Sequence, residues 1–155
     1  MKKLKIKSER GQSLVELAIS LVVLLYLLSG VVEFGIAFFQ FIQLRDAAQE
    51  GALFASINPT ATTAIETRVR SASQEPIDLT NNIVNDPRRV TVTITPIDSD
   101  GDGRTTCVGD GIRIDVAFSH DVFMPFIPTL IGSDTIQLTG SVTDTILQTT
   151  TSGCP

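Results

Sequence analysis

Asp98-Ser99-Asp100-Gly101-Asp102-Gly103 places carboxylates at alternate positions one, three and five, with a glycine at six. Three hard oxygen donors spaced in this way converge on one cation when the chain turns at the glycine, as in the first half of a calcium loop. The Arg104 carbonyl would supply the seventh position, making Asp98, Asp100, Asp102 and Arg104 a candidate calcium set. The twelfth position, normally a bidentate Glu, is Gly109, and Asp110 falls one residue late. The same residues also suit a solvated turn. Calcium is thus an optional ligand, and no cofactor is required.

Other chemistry is sparse. His120 is the only histidine, and beside Asp121 it reads as a surface group at a strand end. Gly109-Asp110-Gly111 lacks the strand and helix context of a phosphate loop. No nucleophile pairs with a base, so the chain is not expected to be an enzyme or to take a small-molecule substrate. Cys107 and Cys154 either form one disulfide, as an oxidising compartment would favour, or remain two separate thiols.

The elements around these residues divide sharply. The first eleven residues hold Lys2, Lys3, Lys5, Lys7 and Arg10 against Glu9, a side-chain net of +4, and the rest carries 7 basic and 16 acidic side chains, a net of −9. An acidic body excludes nucleic-acid binding, which needs clustered Lys and Arg. Leu17 to Val32 carries no charge, and after Glu33 the run from Phe34 to Leu44 is again uncharged. About 20 apolar residues span a bilayer. The span is expected near residues 14–33, with the basic tip in the cytoplasm and the later residues outside. The run is too long for an ordinary signal peptide, and no clear Ala-x-Ala site follows it.

Residues 13–56 lack proline and Pro59 follows, so one helix of about 66 Å is expected, longer than a bilayer core of about 30 Å. Glu16 lies inside the apolar run, where a carboxylate needs a partner or must reach the interface. Glu33 either meets a basic group on a partner or marks the outer membrane boundary. Ala47, Gly51 and Ala55 share one helix face. They suit close packing either on another helix or on a sheet of the same chain.

Residues 60–75 show helical spacing through Ala64, Ile65, Val69 and Ala72. Val90–Thr95, Ile112–Phe118 and Thr135–Thr143 alternate like strands, the first two joined by the Asp/Gly-rich loop as a hairpin. Phe123–Gly132 is apolar but interrupted by Pro125 and Pro128. It reads as an irregular connection packed on the helix or the membrane surface. The fold class is α+β: a long N-terminal helix packed at its outer half on a small antiparallel sheet. The divisions are a leader 1–11, a helix 12–57 and an extracytoplasmic domain 58–155.

Arg10-Gly11-Gln12-Ser13-Leu14-Val15-Glu16-Leu17 before an apolar run resembles the leader and helix start of type IV pilin-like proteins. Val32-Glu33-Phe34-Gly35, followed by Leu44-Arg45-Asp46-Ala47-Ala48-Gln49-Glu50-Gly51-Ala52, resembles more closely the TadE-like pseudopilins of the tight-adherence pilus system. Leu17 stands where pilin precursors often have an aromatic residue. The resemblance implies a bacterial cytoplasmic-membrane protein, cut between Gly11 and Gln12 by a prepilin peptidase. Its Glu16, Glu33 and Gly35 would serve helix assembly with other pilin-like subunits and pilus assembly proteins. It also implies a role in secretion and cell adhesion. The competing function is an uncleaved, membrane-tethered binding module, calcium-dependent at the Asp98 loop.

Overall fold

The structure is a computed structural model that describes residues 10–124, 127–148 and 154. Residues 1–9 of the expected leader lie outside the described residues, as do Pro125 and Phe126.

Helix α1 runs unbroken from Arg10 to Ala55. Nothing inside it interrupts the backbone hydrogen bonds, and Pro59 cannot extend it. Its last turn closes with the Ser56 N–H on the Ala52 carbonyl and the Ser56 hydroxyl on the Leu53 carbonyl. The helix has two distinct halves. From Leu14 to Val32 the apolar side chains are exposed, whereas Leu44, Ala47, Ala48, Ala52 and Ala55 are fully covered. This one helix is long and apolar enough to cross a membrane, which fits a single-pass membrane protein.

Helix α2 spans Thr62–Ser71 and buries Ile65 and Val69 against α1. Three antiparallel strands follow in sequence order: β1 Thr91–Ile97, β2 Gly111–Asp121 and β3 Thr135–Thr145. β2 is central, pairing Ile114 with Ile94 on one side and with Val142 on the other. Its alternation buries Ile112, Ile114, Val116 and Phe118. These cover the small-residue face of α1, so the sheet is the partner that this face packs against. The connection from β2 to β3 carries a five-residue helix, α3, Ile127–Ile131. The α+β architecture and the packing of the outer half of α1 on the sheet are both present.

Two glycines set how closely the layers approach. A Cβ on Gly140 of β3 would lie 2.5 Å from the Arg45 nitrogen and the Leu44 carbonyl carbon. A Cβ on Gly51 of α1 would collide with a methyl of Val69. Helix backbone therefore rests on strand backbone, which larger residues would prevent.

β2 runs antiparallel to α1. His120 near its end meets Glu33, and Ile114 near its start lies beside Gly51. Beyond it, the Leu147 N–H reaches the Ser56 carbonyl. The β1–β2 hairpin loop therefore sits at the far tip, about 33 Å along the helix from Glu33 at 1.5 Å per residue.

Candidate functional site

The expected functional residues fall at three levels along α1. Gly11, Gln12 and Glu16 lie in its first turns, with Gln12 and Glu16 exposed to the surroundings. Gly35 lies farther on, and nothing would meet a Cβ placed on it. An open backbone at Gly35 leaves room for a neighbouring helix to approach.

The middle level is where the helix stops being exposed on every side, although Phe34, Phe38 and Phe39 stay exposed on the face away from the sheet. Glu33 is only 7% exposed and His120 only 1%. His120 Nε2 meets Glu33 Oε1 at 2.8 Å, and the Phe123 N–H donates to the same oxygen at 3.2 Å. A carboxylate oxygen accepts, so this network assigns a proton to Nε2. The His120 ring also packs edge-on against Phe123. One turn earlier on α1, the Ser29 hydroxyl donates to the Met124 sulfur. Together these contacts form a clasp between α1 and the end of β2.

The clasp corrects one sequence reading and adds to another. His120 is not a surface group: residues 112, 114, 116, 118 and 120 share one face of β2, and that face is buried. Glu33, read as meeting a basic group on a partner or marking the outer membrane boundary, has two donors from its own chain on Oε1. A buried carboxylate without donors would cost several kcal/mol, of order 1–3 per unmade hydrogen bond.

Gln43, one level farther along, pins the segment after α2. Its side-chain amide donates to the Ile77 carbonyl and its Oε1 accepts the Ile77 N–H, both at 2.9 Å. Neither contact has a signature in the local sequence.

At the tip, the Asp98, Asp100 and Asp102 carboxylates have oxygens within 4.8 Å of one another. The turn itself uses several of them. Asp98 accepts the Gly101 N–H at 2.7 Å and the Gly103 N–H at 2.9 Å. Asp100 accepts from Asp102, and Asp102 accepts from Arg104. Those N–H donors hold the Asp98 carboxyl below the usual carboxylate range, Gly101 contributing most. The Arg104 guanidinium also lies 3.1 Å from Asp102. As a donor set, the loop suits a hard cation through the lone pairs left free, in competition with that guanidinium.

Asp110 is separate from this cluster. It is buried and accepts the Ser99 N–H and the Cys107 N–H, closing the hairpin loop from within. A disulfide joins Cys107 to Cys154 across a sequence separation of 47. It ties the end of the chain to the same tip.

No curated protein and no solved structure matches the chain significantly. The matched family segment falls wholly within α1, covering both its exposed half and its sheet-bound half. Residues 11–53 match the model of the TadE-like protein family, so over its long helix this chain is similar to that family.

Proposed function

We propose that the chain is a minor pilin-like structural subunit of a tight-adherence pilus or of its assembly platform. It is cut between Gly11 and Gln12 by a prepilin peptidase and associates with other subunits through α1. The observation that carries this reading is the division of α1. Its first half shows apolar side chains on every side, while its second half is the spine of a folded domain. A helix that is apolar all round needs lipid or other helices around it. The TadE-like segment supports a pilus-associated protein of structural, not enzymatic, kind. Lys2, Lys3, Lys5, Lys7 and Arg10 favour the basic tip inside and the sheet domain outside.

After cleavage Glu16 is the fifth residue, within reach of a new α-amino group at Gln12 on its own or a neighbouring helix. N-terminal sequencing of the membrane-extracted protein tests the cut. Gln12 as first residue supports it, and an intact Met1 favours the uncleaved tether. Glu16→Ala should leave membrane insertion intact and impair assembly; normal appendages would count against the role of Glu16.

A second reading adds a weak calcium site at Asp98, Asp100 and Asp102, favoured by their convergent oxygens. Affinity in the millimolar range is expected from an incomplete donor set. Calorimetric titration of the full chain in detergent with millimolar calcium tests it, and the absence of both heat and thermal stabilisation would sink it.

A further inference from the structure

We propose that Phe123 and Met124, just after β2, form a lipid-contacting anchor that seats the sheet domain on the membrane surface. This rests on α1 spanning the bilayer. A span of residues 14–33 has its midpoint near Leu24, and Glu33 is nine residues farther on, about 14 Å at 1.5 Å per residue. The half-thickness of a bilayer core is about 15 Å. Glu33 therefore lies at the edge of the hydrocarbon, and everything clasped to it lies there too.

Phe123 is held at that level by its own N–H on Glu33, yet its side chain is 74% exposed. Met124 reaches a full turn deeper, to Ser29. The two side chains border a hollow of about 500 Å³ on α1 with Leu25, Leu28, Val32 and Ile36, and with Glu33 at its rim beside Ser29. That hollow is continuous with the exposed apolar surface of the helix. The occupant that fits is the acyl-chain region next to the headgroups, because the same surface runs unbroken into the span. Ile131 of α3 in the connection, and Ile136 of β3 opposite His120, add exposed apolar surface. The charged groups nearby, Arg88 and Asp121, approach to 3.8 Å with exposed side chains, as suits the headgroup layer. Exposed apolar side chains such as Phe at this depth fit burial a few ångströms into the boundary between headgroups and acyl chains. The clasp then has a membrane purpose: it pairs the Glu33 carboxylate, leaving it only 7% exposed, and fixes how deep the domain sits.

The chain has no tryptophan, so single insertions report without background. Phe123→Trp, Leu24→Trp and Val108→Trp would each be placed in the full-length protein. The variants would be reconstituted in phosphatidylcholine–phosphatidylglycerol vesicles containing lipids brominated at shallow or deep acyl positions. Leu24 is exposed within the span, and Val108 is 62% exposed at the far tip. Phe123→Trp should show blue-shifted emission quenched most by shallow bromines. Leu24→Trp should be quenched most by deep bromines, and Val108→Trp by neither. Water-like, unquenched emission at 123 with deep quenching at 24 overturns the anchor and leaves the span standing. Blue-shifted but unquenched emission at 123 overturns it in favour of a protein cover. Loss of quenching at both positions overturns the span and the anchor together.

Discussion

Glu33 on α1 and His120 on β2 lie 87 residues apart in sequence, and their side chains meet at 2.8 Å in a buried contact. The contact fastens the sheet to the helix at the point where the helix leaves the domain. Truncating His120 to Ala leaves the Glu33 oxygen short of a donor and opens a void. We expect a loss of about 2–4 kcal/mol in stability, read by urea denaturation in detergent. The double change Glu33→Leu with His120→Leu should recover part of that loss, since apolar pairs of similar volume often replace buried polar pairs without cost, while the Phe123 N–H loses its acceptor. A His120→Ala variant as stable as the parent would show that the contact contributes little.

The two closely packed layers make a contrasting glycine test. Gly140→Ala places a methyl against the α1 backbone at Leu44 and Arg45, which cannot yield as a side chain could. A destabilisation of about 1–3 kcal/mol is expected, with a lower melting temperature. Gly35→Ala meets open space. It should hold or slightly raise helix stability, by up to about 1 kcal/mol. If Gly35 lies in a helix–helix contact, the same change lowers assembly without touching the melting temperature.

Removing the disulfide by Cys107→Ser with Cys154→Ser frees a closure spanning 47 residues. In the chain-entropy account this costs about 4 kcal/mol. Comparing denaturant midpoints of the parent with and without reductant checks the figure. Equal midpoints would mean that the bond does not restrain the unfolded chain.

At the tip, Asp98 has a folded pKa lowered from 3.8 by the Gly101 and Gly103 N–H groups. The sign follows directly. A lowered carboxylate pKa adds stability that is present above the unfolded value and fades as pH falls through the folded value. The acid window therefore lies below 3.8. Carboxyl-detected NMR titration should give Asp98 a midpoint below that of an ordinary aspartate, and Asp98→Asn should abolish that acid dependence of the loop. A midpoint at the ordinary value would remove the two N–H donors as its cause.

Most elements were legible because they repeat a period. The proline-free apolar run specified α1, and strict alternation specified β1, β2 and β3, with β1 starting one residue later and ending two later, β2 longer by one residue at its start and three at its end, and β3 longer by two. The face bearing Ala47, Gly51 and Ala55 was legible as a packing face but not as to its partner, because small residues suit helices and sheets alike. His120 was misplaced by its neighbour Asp121, although the parity of Ile112, Ile114, Val116 and Phe118 already assigned it to the buried side. Glu33 has a similar signal. It is eleven residues before Leu44, three helical turns, and so lies on the same face as the core. What the sequence could not show is that β2 runs back along α1, since only that direction brings these two faces to the same height.

That direction also bears on mechanical load. Along the outer half of α1, the domain is tied to the helix by the Glu33–His120 contact, the paired Gln43–Ile77 hydrogen bonds and the Ser56 carbonyl accepting the Leu147 N–H. A pull along the helix axis strains all of these ties, and the apolar packing between them, in shear and at once. A sideways pull would instead open them one after another from an end. A domain pulled through the N-terminal end of α1 is therefore built to hold.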